Sequence, residues 1–433
     1  MKIEIRYLYL VHFLISRCMF VITLLMSIAI SQTILNDFET LNESRFKPEY
    51  FTRSRKMPFN KLLHFLLSMY KTSTQAALNC FLRKDDITMS QQALSKARNK
   101  FDHSPFWKLF IGIRDAFYAP AYLPTLSKLH NKFVIAIDGS TAELPNMPEL
   151  HKKYGGTGAK ASSPTARMSI AYDVLNDFIM SADFTELSTG ERELALIHID
   201  EISRYLNLKD CMFIMDRGYA SEELIRILSK KSSYLFRLKT KFNKAVDALP
   251  LGMHDITLYG DLTVRIIKFT LPSGEVETLL TNLFDVDESE FKALYFKRWP
   301  VEVKYDVVKN KLELPCFGGF SENIILQDFW ITMYLANMVA IAKNEADAEI
   351  KESRKVKNNK YEYQANVNTI IGSLREQLAD AVFSPPVSRM MKFNRIMSEI
   401  KRSVVPVRPD DGKTPRNKNS RNVKYHHNKR SNL

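Results

Sequence analysis

Hydrophobic and polar positions change period along this chain, and each change marks a different kind of element. Residues 7–31, YLYLVHFLISRCMFVITLLMSIAIS, are apolar almost without a break. That length is enough to span a bilayer. Lys2 and Arg6 precede the run, whereas His12 and Arg17 lie inside it and make insertion costly. Three readings stand for residues 1–32: a buried or peripheral helix, a start further downstream at Met19, Met26 or Met57, or a membrane segment. From Lys61 to Phe101 the apolar positions recur at helical spacing. Lys61 to Tyr70 reads as an apolar helix. Gln75 to Leu82 reads as a second, capped by Ser73 or Thr74, and Gln91 to Lys100 as a third, capped by Thr88 or Ser90. The second and third, with the third polar and basic, have the layout of a helix-turn-helix. Gln92, Ser95, Lys96, Arg98 and Asn99 are the side chains that would meet bases and phosphates. A basic solvated helix in an ordinary helical domain has the same pattern.

At Lys132 the period shortens. Phe133 to Ile137 is a continuous apolar run followed by Asp138-Gly139-Ser140, which reads as a buried strand ending in a carboxylate and a turn. Residues 166–174 and 177–182 alternate, with Leu175-Asn176 between them, and read as a hairpin. Residues 190–206 read as an amphipathic helix, in which His198 has no partner at metal-ligand spacing. Cys211 to Met215 is a second apolar strand, closed by Asp216-Arg217-Gly218-Tyr219 and followed by a helix from Ser221 to Lys231 and a strand from Tyr234 to Leu238. Residues 253–284 hold several β-like stretches with a turn at Leu271-Pro272-Ser273-Gly274. This alternation argues an α/β core over residues 131–345 with a β-rich insert at about 240–284, preceded by a helical domain over 33–130 and followed by a helical region over 346–402.

Composition narrows the partner. The chain has 433 residues, 45% hydrophobic and 25% charged, so it can bury a sizeable core and is not largely disordered. A net charge of +14 points to an anionic partner. Ten Lys and Arg against Asp410 and Asp411 place +8 of that charge in residues 401–433, leaving the body only mildly basic. Residues 403–433 read as a disordered basic tail that would bind DNA without sequence preference, or simply solubilise the chain. The four cysteines, Cys18, Cys80, Cys211 and Cys316, are far apart and fit neither a zinc site nor a disulfide framework, so buried reduced thiols are expected. The loop YGGTGAKASS at residues 154–163 carries Lys160 but lacks the phosphate-loop pattern.

Candidate chemistry concentrates in residues 295–309, YFKRWPVEVKYDVVK. On one continuous helix, Tyr295, Arg298, Glu302 and Lys309 would fall within about 60° of one another, so a carboxylate would sit among phosphate-binding donors. Ion pairs on a solvated helix face would look the same. Pro300 favours a helix start over a helix interior, so Glu302 and Lys309 are expected on one helix, with Tyr295 and Arg298 delivered from its approach. Asp138 and Asp216 at strand ends give Glu302 two partners at the ligand-binding edge of an open sheet. Three carboxylates converging there suit two hard divalent cations and phosphoryl transfer.

These motifs resemble those of DDE transposases of the insertion sequence 4 family. The family hallmark Y-x2-R-x3-E-x6-K is matched by Tyr295, Arg298, Glu302 and Lys309, and the Asp138 DGS and Asp216 DRGY segments look like the first two acidic motifs. ARMSIAYDVLND (166–177), NKLELPCFGGFSE (310–322) and DFWITMYLANM (328–338) are also similar, so the resemblance covers roughly residues 60–380. It implies a ribonuclease-H-like α/β catalytic domain with a β insert. It further implies cleavage at insertion-sequence ends and strand transfer of a 3′-hydroxyl into target DNA, with Asp138, Asp216 and Glu302 binding two Mg²⁺ ions, or Mn²⁺ in their place. Tyr295, Arg298 and Lys309 would hold phosphates. Double-stranded DNA, a synaptic dimer, and a cytoplasmic, nucleoid-associated location follow from the same resemblance. Some members form a hairpin intermediate and stack a flipped base on an insert tryptophan. Here the tryptophans are Trp107, Trp299 and Trp330, none in the insert, which speaks against that route, although Tyr259 or Phe269 offers an aromatic ring. A catalytically inactive DNA-binding derivative, a structure-specific nuclease on the same fold, or a membrane-anchored protein are the alternatives.

Overall fold

A computed structural model describes residues 23–53, 55–68, 73–156, 163–355 and 360–407. The chain divides into two compact units, one containing residues 110–340 and the other residues 23–109 with 341 onward.

The first unit is built on one eight-stranded mixed sheet. Its strands are β1 (Phe133–Glu143), β2 (Thr165–Asp173), β3 (Phe178–Glu186), β4 (Cys211–Met215), β5 (Ser233–Arg237), β6 (Gly252–Leu258), β7 (Leu262–Thr270) and β8 (Val276–Thr281), in the spatial order β3-β2-β1-β4-β5-β8-β7-β6. The central ladders β1·β4 and β4·β5 are parallel and the others antiparallel. The apolar runs of β1 and β4 occupy its middle, and all five residues of β4 are fully buried, as expected of strands covered on both faces. Val134, Met212, Ile214, Leu235, Ile267 and Leu279 pack in one core cluster with Phe291 and Leu294 of the helix Glu288–Phe296. The β2–β3 hairpin forms as expected, with Asp177 in the left-handed region at its turn.

One strand expectation changes. Asp138 does not end its strand and Asp138-Gly139-Ser140 is not a turn, because β1 runs on to Glu143. The reason is a second partner: the parallel ladder to β4 stops at Ile137↔Met215, while the antiparallel ladder to β2 continues to Glu143↔Thr165. The β insert joins the main sheet. β8 pairs with β5 at Leu235↔Thr281, so the ladder groups left open on β5 are filled and β7 and β6 extend the same sheet.

In the second unit, the helices Phe59–Leu67, Thr74–Leu82 and Gln91–Arg98 match the expected trio, with Ser73 and Ser90 as caps. The Gln75 carboxamide accepts from the Gln91 N–H at 2.9 Å and donates to the Met89 carbonyl at 2.9 Å, tying the last two helices together. Leu24–Asn36 is a helix whose Leu24, Ile28 and Leu35 are buried, and its 13 residues fall short of the ~20 that cross a bilayer. The rest of the N-terminal run, residues 1–22, lies outside the described residues. The long helix Glu322–Arg354 leads toward β9 (Glu362–Ala365), the helices Val367–Val382 and Pro386–Arg402, and β10 (Val404–Val407). β10 pairs antiparallel with β9, so residues 404–407, expected in the disordered tail, form a strand; residues 408–433 are outside the described ones, as are 157–162 of the Gly-rich loop. The described cysteines are all free, but only Cys211 is buried; Cys80 and Cys316 are exposed, contrary to expectation.

Candidate active site

Asp138 and Asp216 come from neighbouring central strands at the point where their pairing ends. Asp216 follows directly on β4, and Asp138 sits one residue past the last β1·β4 pair. Side chains alternate along a strand, so Asp138 and Ser140 share one face of β1 and Gly139 takes the other. The Asp138 carboxylate accepts from the Gly139 N–H at 3.0 Å. Burial pushes its pKa from 3.8 up to about 6; the Arg298 guanidinium opposes that rise, and the charges of Glu302 and Asp216 add to it. Asp138 therefore feels both of the other acids.

The stretch 295–309 is not one straight helix. Tyr295 lies in the last turn of Glu288–Phe296, and Arg298 stands in the turn that follows, its N–H donating to the Tyr295 carbonyl at 2.9 Å. Pro300 opens the helix Pro300–Asp306, which carries Glu302, as its fixed φ and missing N–H favour. Lys309 belongs to a π-helical turn, Val307–Lys311, that continues this helix with a wider bore. The bend still brings the four polar groups to one place. Arg298 donates Nη1 to Asp138 at 3.2 Å and Nη2 to Glu302. The Tyr295 hydroxyl donates to Asp216 at 3.3 Å. Lys309 Nζ donates to the Ser140 hydroxyl at 2.6 Å, and burial lowers the pKa of its ammonium.

Several contributors had no signal in the sequence. Tyr305, on the helix of Glu302, donates to the Asp138 backbone carbonyl at 2.8 Å and so fixes that helix to β1. Arg237 at the end of β5 lies 3.9 Å from Asp216 and donates to Glu277 at 2.5 Å. Glu191 opens the helix Glu191–Ser203 and accepts from Arg167 at 2.9 Å. The spacings of Arg237, Glu191 and Arg167 read only as ordinary helix and strand positions. His198 is a core residue, fully buried between the Ser181 and Ser169 hydroxyls at 2.8 and 2.9 Å.

The helical candidates belong to the chain's other compact unit. Gln92 and Lys96 are exposed on Gln91–Arg98, but Arg98 is only 3% exposed and does not face solvent as a DNA contact would. The helix buries the face of Leu94, and position 98 falls one turn further along that face.

An oxygen donor set of three carboxylates suits hard divalent cations. Arg298 already places a positive charge between two of them, and burial, which raises the pKa of Asp138, disfavours an uncompensated carboxylate there. Among the described residues, no group of three or more His, Cys, Asp or Glu side chains stands close enough to hold an ion as placed. The Arg298 guanidinium stands between Asp138 and Glu302, while the oxygen donors of the three acids fit a hard divalent cation in kind.

The sheet, with its parallel centre, antiparallel flanks and acids at the end of the central ladder, defines a ribonuclease-H-like α/β fold. Residues 130–315 match the family model described as Transposase DDE domain, which supports a DDE transposase. Among solved structures, the chain is similar to piggyBac transposase in a synaptic complex with hairpin DNA, with 12% identity, a TM-score of 0.53, and 92% of this chain and 89% of that chain covered. At that identity the likeness speaks for the fold. The comparison with curated proteins found no match.

Proposed function

We propose that the protein is a transposase that cleaves DNA at the ends of its element and joins the freed 3′-hydroxyl to target DNA, with Asp138, Asp216 and Glu302 as the metal-binding acids. The observation that carries this reading is the convergence of those acids from β1, from the end of β4 and from the helix Pro300–Asp306, with the Arg298 guanidinium between two of them. The Tyr295, Arg298, Glu302, Lys309 spacing supports placing it with the insertion sequence 4 group. Divalent ions, Mg²⁺ or Mn²⁺, would supply activation of the attacking oxygen and stabilisation of the leaving one.

The chain's own residues position the DNA. Arg298 offers a planar fork that suits a phosphate bidentately, and Lys309 offers a point charge held over the Asp138 strand through Ser140. The Tyr295 hydroxyl donates to Asp216 and can orient that carboxylate or a nearby phosphate oxygen. Gln92 and Lys96, exposed on a capped helix, are positioned to touch double-stranded DNA at the element ends. Synapsis of two ends would call for a dimer, and action on the chromosome would place the protein on the nucleoid in the cytoplasm.

The test is a cleavage assay on DNA carrying the element's own ends, with Asp138→Asn, Asp216→Asn and Glu302→Gln. Each is expected to bind the ends and fail to cut them in Mg²⁺. Cutting that survives Glu302→Gln would overturn the assignment.

A further inference from the structure

The pairing that holds β1 beside β4 ends at Ile137↔Met215, one residue before each of the two aspartates. From there on, no backbone ladder sets the spacing between the Asp138 segment and the loop after β4. One side chain lies where the ladder stops. A Cβ built on Gly139 would have Glu191 atoms as its three nearest neighbours, with Oε1 at 3.2 Å. A Cβ built on Gly218 would meet Glu191 Oε2, also at 3.2 Å, as its single neighbour within 4 Å. Neither glycine has positive φ, so backbone conformation does not demand glycine at these two positions. The carboxylate crowds both positions: a Cβ at either glycine would stand 3.2 Å from one of its oxygens, so the side chain would have to give by a few tenths of an ångström.

Glu191 is itself held. Arg167 donates Nη1 to Glu191 Oε1 at 2.9 Å and turns Nε and Nη2 onto the Leu187 carbonyl at 3.2 and 3.1 Å. Arg167 lies on β2 directly across from Thr141, two residues beyond Gly139 on the same face of β1. Asp138 and Ser140 point to the other face, toward the helix of Glu302. Glu191 thus lies against the Gly139 face of β1, opposite the face on which Arg298 meets Asp138. Tyr219, 1% exposed, has a buried hydroxyl without a hydrogen-bond partner, and its raised pKa reflects burial first and then the charges of Asp138 and Glu191.

We propose that Glu191 is a positioning residue: its carboxylate, anchored by Arg167, spaces the Gly139 and Gly218 backbones and so sets the separation of Asp138 and Asp216. The inference rests on the reading of those two aspartates as a metal-binding pair.

Calorimetric titration of Mn²⁺ into the full chain without DNA, beside thermal melting, tests it. Wild type and Asp138→Asn come first, because equal binding by both overturns the metal-site reading and this inference with it. Given wild-type binding that Asp138→Asn abolishes, Glu191→Ala is expected to weaken Mn²⁺ by about 10- to 100-fold, as loss of an outer-shell support does, with little change in melting temperature. Glu191→Gln, which keeps the volume and an acceptor for Arg167, is expected to retain most of the affinity. Gly139→Ala is expected to weaken Mn²⁺ as well, and the Glu191→Ala/Gly139→Ala pair to lose less than the two single losses combined, since the added methyl enters the space the carboxylate left. Wild-type Mn²⁺ affinity in Glu191→Ala, or a lowered melting temperature with unchanged affinity, overturns the proposal. Additive losses in the double variant do the same.

Discussion

The Arg298 guanidinium stands between Asp138 and Glu302, donating Nη1 to the first carboxylate at 3.2 Å and Nη2 to the second. One planar cation thus links a central strand to the helix that crosses it. Arg298 is 12% exposed and has carboxylates on both sides, so its charge offsets the repulsion between Asp138 and Glu302.

Replacing it separates shape from charge. Arg298→Ala is expected to reduce end cleavage by about 10- to 100-fold, the range of a lost charge-assisted contact of about 1.5–3 kcal/mol. Arg298→Lys is expected to recover little, because an ammonium cannot address two acceptors in one plane. Cleavage rates under single-turnover conditions would show whether it does.

Lys309 reaches the same strand through Ser140 at 2.6 Å. Lys309→Ala is expected to weaken DNA binding for all sequences alike and to lower the slope of log affinity against log salt by about 1, the signature of one lost phosphate contact. Ser140→Ala leaves the ammonium in place and is expected to leave that slope unchanged. Binding titrations over a series of salt concentrations distinguish the two.

The helix Gln91–Arg98 offers a contrast between two of its own basic residues. Lys96 is exposed and Arg98 is 3% exposed. Lys96→Ala is expected to weaken DNA binding with an unchanged melting temperature. Arg98→Ala is expected to lower stability by about 1–3 kcal/mol and leave the DNA affinity of the folded protein as it was. Equal effects of the two on affinity would contradict the burial of Arg98.

His198 carries a pH dependence whose sign is set by burial. Its pKa falls from 6.5 to about 3, because desolvation disfavours the imidazolium between Ser181 and Ser169. Between those values the unfolded chain binds a proton that the folded chain does not. The His198 contribution is therefore intact above 6.5 and is lost as pH falls toward 3, at up to about 1.4 kcal/mol per pH unit. Asp183, 3.5 Å away, acts with the opposite sign, since burial raises its pKa from 3.8 to about 6. The difference in melting temperature between wild type and His198→Gln, followed against pH, isolates the histidine.

Sequence by itself determined most of what local chemistry decides. The continuous apolar runs at Phe133 and Cys211 marked central strands, Ser73 or Thr74 and Thr88 or Ser90 marked helix starts, Pro300 marked the beginning of the Glu302 helix, and the spacing from Tyr295 to Lys309 suggested a candidate site through its resemblance to a family motif. Each of these is a property of neighbouring residues, visible as period, cap or breaker. What the tertiary structure decided concerns partners distant in the chain. Asp138 continues in a strand because β2 goes on pairing where β4 has stopped, and the insert joins the main sheet because β5 had an open edge. Arg98 turns inward because its helix has a core face, and Glu191 gains its place because Gly139 of β1 and Gly218 of the turn after β4 leave room for one carboxylate. Strand pairing and shared cavities depend on which segments meet, and no local pattern encodes that meeting.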